Sequence, residues 1–238
     1  MPYYDKIARQ WHQVTGYKGG SFKEHVLNDV LLQKIPRIND GSILELGAGN
    51  GYFLPLVLRR FSGQNPSSII ITDQSIEQLK HAEKHFSIRG AQYRLLDVCR
   101  TFPFEDDSFN IILAIMVLNE IPPKCFVNAL QECYRTLTKE GMLLIAVTHP
   151  DFVDRLRKKG QLRRTSGDVL TMPGSGSLRL PVIIRPLKIY QKEIAEAGFE
   201  YEFEDVFPTQ KVLNEKPGLR DLDKVPVALV IKCSKPGK

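Results

Sequence analysis

The chain has 238 residues, 42% hydrophobic and 25% charged, which is enough to bury a sizeable core and too apolar for a disordered segment. It contains no apolar run of about 18 residues, and MPYYDKIARQWHQ lacks the apolar stretch of a secretory leader, so a cytoplasmic protein without a membrane span is expected. The net charge of +6 admits an anionic partner without requiring one, and Cys99, Cys125, Cys133 and Cys233 lack CxxC or metal-type spacing, so buried thiols and no metal centre are expected.

The N-terminal segment places Tyr3, Tyr4, Trp11 and Tyr17 ahead of the first strand-like run, SILELG at 42–47. Helix-like YFLPLVLRRF (52–61) then leads to strand-like SIIITD (68–73), and SIEQLKHAEKHF (75–86) leads to AQYRLLD (91–97). FNIILAIMV (109–117) follows, and PKCFVNALQECYRTL (123–137) precedes GMLLIAVT (141–148). The strand-like runs are short, β-branched and bounded by turn residues. Within 123–137, Phe126, Val127, Leu130, Cys133, Tyr134 and Leu137 recur at spacings of three and four, marking one apolar helix face. Such alternation predicts a parallel sheet with right-handed crossovers and helices on both faces. Further on, RLRKKGQLRRTSGDVLTMPGSGS (155–177) concentrates Arg155, Arg157, Lys158, Lys159, Arg163 and Arg164, then trails into a Gly/Ser stretch that reads as a mobile loop. The charge suits a solvated helix face, or an acceptor bearing carboxylate, phosphate or nucleic acid. IYQKEIAEAG (189–198) reads as a helix closed by Gly198, and FEYEFEDVF and VPVALVIKCS as an antiparallel edge hairpin joined by a polar loop. His12, His25, His81 and His85 fall in helical stretches, the last two on an expected solvated face.

The stretch ILELGAGNGYF carries the chemistry. Ligands of open parallel sheets bind beyond the carboxyl ends of the strands, where glycines let the backbone approach them. A dinucleotide fingerprint is GxGxxG, whereas Gly47, Gly49 and Gly51 form GxGxG. Glu45 precedes Gly47 by two residues at the strand mouth, where its charge disfavours a pyrophosphate and favours a cation. These residues prefer a nucleoside cation to a dinucleotide.

An acidic residue followed by GxGxG resembles motif I of the class I S-adenosylmethionine-dependent methyltransferases, and the likeness extends from about residue 40 to 233, most closely to the type 11 small-molecule group. The resemblance implies a Rossmann-like, doubly wound α/β fold with a seven-stranded, mostly parallel sheet, an antiparallel C-terminal hairpin and helices on both faces. It also implies S-adenosylmethionine as cofactor and S-adenosylhomocysteine as product. Residues 1–238 are expected to form a single methyltransferase domain: an N-terminal helical lid (1–40), a cofactor core (41–148), a variable substrate-side segment (149–186), and a C-terminal helix and hairpin (187–238).

By the same likeness Asp73, with Gln74 beside it, stands where the family holds the ribose hydroxyls, and Asp97, with Val98, where it meets the adenine. Asp73 also suits an N-cap for a helix beginning near Ser75. Glu45 faces the methionine portion directly or through water, or else organises the loop amides. Met116 is a cofactor contact or core packing. Tyr4 and Trp11 read as a substrate-side lid that excludes water, or as helix packing.

Methyl transfer from a sulfonium is an in-line displacement that needs alignment above all, and a base only when the acceptor is protonated. His149, past the fifth strand in VTHPDF, is the candidate base, with Asn119 and Glu120 at the same rim; a turn cap before Pro150 is the competing role for His149. The expected function is methyl transfer to a hydroxyl, amine or activated carbon of a small, sometimes anionic, biosynthetic intermediate. Alternatives are an RNA (tRNA) or protein methyltransferase using the 155–164 stretch, and a non-catalytic S-adenosylmethionine-binding protein. The oligomeric state is not legible from the residues.

Overall fold

The apolar runs assemble into one seven-stranded sheet. The computed structural model describes residues 3–37, 40–60, 66–164, 170–174, 178–215 and 222–237. The first half of the sheet comprises β1 (Ser42–Leu46), β2 (Ser68–Asp73), β3 (Gln92–Leu95), β4 (Phe109–Ile115) and β5 (Leu137–Thr148), all parallel to one another, with β9 (Glu200–Val206) and β10 (Ala228–Ser234) completing it. The order is β3-β2-β1-β4-β5-β10-β9, and β10 runs antiparallel to both neighbours. The chain reverses its direction of build beside β1, so the carboxyl ends of β1, β2 and β4 open a crevice for a ligand.

Because alternate side chains face opposite ways, each strand feeds two cores. Leu44, Ile112 and Ile145 face the helices α6 (Pro123–Thr136) and α8 (Leu187–Glu196), meeting Phe126, Leu130, Tyr190 and Ile194. Ile43, Ile71, Ile111 and Leu144 face α4 (Phe53–Arg60) and α3 (Asn28–Lys34), meeting Leu54, Val57 and Leu31. Each such side chain contributes about 1.5–3 kcal/mol on burial, and the central strands are apolar almost throughout because both their faces are covered.

Several local features depart from the sequence reading. The helix α5 (Ile76–His85) is capped by Ser75, whose side chain accepts from the Gln78 amide, so Asp73 is not the cap. Three short antiparallel strands form around the basic stretch, β6 (Arg163–Arg164), β7 (Leu170–Pro173) and β8 (Arg179–Val182), and of the Gly/Ser tail read as a mobile loop Met172 and Pro173 lie in β7. Met172 and Val182 pack there with Val153 and Leu156 of α7 (Pro150–Lys158), a small satellite core that gives the segment an anchor; residues 165–169 and 175–177 lie outside the described residues. A further helix, α9 (Gln210–Glu215), buries Val212 and Leu213 where a polar loop was expected. Cys99 and Cys125 form a disulfide joining the turn after β3 to the start of α6, while Cys133 and Cys233 are buried thiols as expected. No helix among the described residues is long and apolar enough to cross a membrane.

At the N-terminus, α1 (Tyr3–Thr15) is followed by a 3-10 turn, a short α2 (Gly20–Phe22) and a π-helical turn at Lys23–Leu27 that continues into α3. The helix α1 docks on α5 through polar contacts. The Asp5 carboxylate accepts from the Ser75 hydroxyl, His12 Nε2 meets Gln78 Oε1 at 2.8 Å, and the His12 ring stacks on His81 at 3.4 Å. His81 is therefore not a freely solvated residue; its ring also lies 4.3 Å from that of His85.

Burial, with His12, His85 and Lys84 close by, draws the His81 pKa down to about 4, and burial also lowers that of His12. Folded-state pKa values below the unfolded value near 6.5 mean that the docked helix needs neutral rings; the contribution is complete above that pH and is lost as pH falls toward 4. Trp11, the one tryptophan of the chain, sits on α1 and reports on docking. Its fluorescence emission is expected to shift to the red between about pH 6 and 4. In His81→Leu the transition is expected to move to lower pH; an unchanged midpoint would show that the stack does not hold the helix.

Candidate active site

The crevice is built first from backbone. Gly47 (φ +61) and Gly51 (φ +78) take left-handed conformations, and a Cβ on either would lie 2.6 Å from Val117 Cγ2 or 2.5 Å from Ala82 Cβ, so both positions admit glycine alone. Gly49 faces open space: a methyl group on its Cα would have Trp11 Nε1, 4.0 Å away, as its nearest neighbour. Its amide donates to Asp73 Oδ2 at 2.8 Å, and the Ser75 amide donates to Asp73 Oδ1 at 2.9 Å. Asp73 is thus fixed at the end of β2, with lone pairs left for hydroxyl donors.

Glu45 stands on β1 and is 2% exposed, with Oε2 lacking a hydrogen-bond partner among the described residues. Burial pushes its carboxyl up to about 8, Lys23 opposing and Asp73 reinforcing the shift. Glu120, in the loop after β4, accepts from the Tyr4 hydroxyl at 2.7 Å, and burial likewise raises it to about 8. Asp73 is raised by burial as well, against the lowering effect of the amides it accepts from. Three acids from three strand ends therefore share a region short of positive charge.

The cation facing them is Lys23, on the π-helical turn, a residue not singled out from the sequence. Its Nζ lies 5.2 Å from the Tyr52 ring centroid and 5.9 Å from that of Trp11; burial lowers its pKa, while Glu120, Glu45 and Asp73 hold it up. Trp11 meets Tyr4 edge to face at 5.6 Å. Tyr4, Trp11, Tyr52 and Lys23 thus stand with the acids as an aromatic and cationic cover. The Tyr17 side chain lies outside the described residues.

The remaining sequence candidates divide. Asp97 is exposed after β3, where Oδ1 accepts from the Cys99 amide at 2.9 Å; the Val98 side chain is in the core, and Gln74 is exposed beside Asp73. Met116 adopts φ +61, unusual for a residue with a side chain, and this turns the chain sharply at the end of β4 while its amide bonds to Ala146 O at 2.8 Å. His149 is 3% exposed and caps α7: Nδ1 accepts from the Asp151 amide at 3.0 Å, and Nε2 reaches Asp205 Oδ1 at 3.1 Å. With the ring's acceptor nitrogen taken by an amide, Nε2 carries the proton toward Asp205.

Asn119 lines a cavity of about 390 Å³ beyond β4 and β5, together with Thr148, Val153, Val182, Leu187 and Tyr190. The loop carrying it is clamped by Arg185, 5% exposed, whose Nη1 donates to Leu118 O and Nη2 to Ile121 O, both at 2.9 Å, while the guanidinium stacks 4.1 Å above Phe126. Ile183 N donates to Asn119 O at 3.0 Å. Arg185 was also missed in the sequence, where one arginine before a proline has no signature. Of the basic stretch, Arg157 and Lys158 pair with Asp154 at 2.6 and 2.7 Å. Among the described residues no group of three or more His, Cys, Asp or Glu side chains is placed to hold a metal ion.

The acids fit a cationic nucleoside: an unpartnered buried carboxylate at Glu45 suits an ammonium or sulfonium, Asp73 suits vicinal hydroxyls, and Gly49 leaves room for close approach. Residues 43–141 match the family model described as "Methyltransferase domain". Among curated relatives, the chain is 32% identical over 108 residues to the tRNA N(3)-methylcytidine methyltransferase Mettl2 of Drosophila melanogaster (43% of this chain, 33% of that one). It is 25% identical over 134 residues to the malonyl-[acyl-carrier protein] O-methyltransferase of Halorhodospira halophila (54% and 43%). The chain thus spans less than half the length of either relative. A solved S-adenosylmethionine-dependent methyltransferase from Mesorhizobium loti superposes with TM-score 0.66 at 18% identity over 90% of this chain and 98% of its own. Phosphoethanolamine N-methyltransferase 2 of Haemonchus contortus, in complex with S-adenosyl-L-methionine, gives 0.67 at 16% identity over 99% and 58%. With the motif, the acids and the matched model in agreement, residues 43–141 form a methyltransferase domain, and the fold is that of solved S-adenosylmethionine-dependent methyltransferases.

Proposed function

We propose that this chain transfers a methyl group from S-adenosylmethionine to a hydroxyl, amine or activated carbon of a small molecule. The observation that carries the reading is the cavity of about 390 Å³ bordering the loop after β4, a volume suited to one small acceptor. Bound S-adenosylmethionine supplies an electrophilic methyl on a sulfonium. Glu45 would face the ammonium of its methionine portion, Asp73 would accept from the ribose hydroxyls, and Asp97 would border the adenine. Glu120 is held by Tyr4 at the rim and receives the proton of an acceptor that must lose one; burial places its pKa near 8, which suits a base working near neutral pH. His149 keeps the α7 cap in this reading, and α1 with Lys23 covers the site and excludes water. A nucleic-acid acceptor is the second reading, favoured by the tRNA-methylating relative and the basic residues on α7.

Calorimetric titration with S-adenosylhomocysteine tests the cofactor assignment. Asp73→Ala is expected to weaken binding at least ten-fold, about 1.4 kcal/mol, and unchanged affinity would remove Asp73 from the site. The pH dependence has a definite sign. Glu45 and Glu120, raised to about 8, are largely protonated at pH 6.5 in the free protein, and an incoming cation favours their ionised forms. Binding of S-adenosylmethionine is therefore expected to release protons and to tighten by up to about ten-fold from pH 6.5 to 8, as seen by titration in buffers of different ionisation enthalpy. Glu45→Gln should flatten that dependence. Transfer of labelled methyl to small amines, phenols and carboxylic acids, set against unmodified tRNA, separates the two acceptor readings; labelling of tRNA alone would replace the first by the second.

A further inference from the structure

The acceptor cavity carries an unspent set of hydrogen-bonding groups. Asn119 is 2% exposed, and neither Nδ2 nor Oδ1 has a partner among the described residues; Thr148, 4% exposed, has an equally unpartnered hydroxyl. Both residues line the cavity, one from the loop after β4 and the other from the end of β5. A buried amide left unbonded costs about 1–3 kcal/mol, yet the loop that carries this one is held in place by Arg185 and Ile183. The residue is fixed with a donor and an acceptor side by side.

The charges around the cavity are already committed. Arg157 pairs with Asp154 at 2.6 Å, and Arg185 is directed at the carbonyls of Leu118 and Ile121 and at the Tyr190 hydroxyl. The Asp151 and Asp154 side chains are 73% and 36% exposed, so they stand toward solvent, while Val153, Val182, Leu187 and Tyr190 supply apolar wall. A charged ligand would leave the Asn119 donor or acceptor without a match, whereas a neutral group presenting an adjacent donor and acceptor satisfies both.

Building on the methyltransferase reading, we propose that this cavity recognises the acceptor by a planar, neutral amide edge, the C(=O)–NH of a carboxamide or of a pyrimidine-type base, paired with the Asn119 carboxamide and the Thr148 hydroxyl. The apolar walls take the faces of the ring. Asn119 is a binding and positioning residue for the acceptor, and it leaves the sulfonium site to Glu45 and Asp73.

The test uses benzamide, uridine and benzoate as probes, titrated by ligand-observed NMR with and without S-adenosylhomocysteine. Benzamide and uridine are expected to bind the wild-type protein, benzoate at least ten-fold more weakly than benzamide. Asn119→Leu is expected to weaken benzamide and uridine at least ten-fold while the affinity for S-adenosylhomocysteine is unchanged. As a check that does not disturb a buried position, Ile184→Trp, at a lining residue that is 43% exposed, should block both amides. Benzoate binding as tightly as benzamide, amide binding indifferent to both variants, or no amide binding at all would overturn the proposal. Loss of S-adenosylhomocysteine binding in the wild type would instead overturn the cofactor reading, since the probes are also titrated without it. Oligouridine binding more tightly than uridine, with a steep salt dependence, would make the amide edge that of a base in a polynucleotide; equal binding would make it that of a free molecule.

Discussion

Everything at the crevice follows from the cost of keeping carboxylates out of water. Glu45, Asp73 and Glu120 come from three strand ends, and burial raises the pKa of each. A carboxylate deprived of water either takes up a proton or finds a cation. Lys23 meets part of that demand from under two aromatic rings, but it is itself depressed by burial, so the region stays deficient in positive charge. That deficit is what a sulfonium and an ammonium can fill. The rest of the fold serves to hold it: two glycines that nothing larger can replace, a β2 terminus fixed by two amides, and a loop after β4 turned sharply at Met116.

The cover over these acids is of a different kind from the sheet beneath. The sheet is held by apolar side chains with almost no exposure, whereas α1 reaches α5 through a carboxylate, an amide and stacked imidazoles. Contacts of this sort are each worth about 0.5–1.5 kcal/mol, well below the burial of a core strand, so α1 is held less firmly than the sheet. Tyr4 and Trp11 belong to that weaker layer, and Tyr4 reaches across it to Glu120.

What the residues revealed in advance follows the range of the forces involved. Strands β1 to β5 and the helices between them were legible because β-branched runs and a 3.6-residue period are local signals, and the glycine turn was legible because its conformation is local too. Glu45 was singled out by its distance from that turn, and Asp73 by the family resemblance. Lys23 and Arg185 were not, since each gains its meaning from groups far along the chain: Lys23 from Glu45, Asp73 and Glu120, and Arg185 from two carbonyls of the loop after β4. The strands of 163–182 were hidden because their short apolar pattern is completed only by Val153 and Leu156 of α7. His149 was noted for its chemistry, while the Asp205 that meets it arrives from β9, 56 residues later. The disulfide escaped for the same reason, since a separation of 26 residues has no signature until β3 and α6 are packed.

The placement of β10 between β5 and β9 has a consequence for biogenesis. Until residues 228–234 have left the ribosome, the outer edge of β5 exposes a row of unpaired amides and carbonyls from Met142 to Thr148, among the most apolar stretches of the chain, and β9 has no strand to pair with. A nascent chain paused before that point presents an adhesive edge to its neighbours. The outer edge of β5 is therefore covered only once β10 has paired with it, after the crevice strands are already in place.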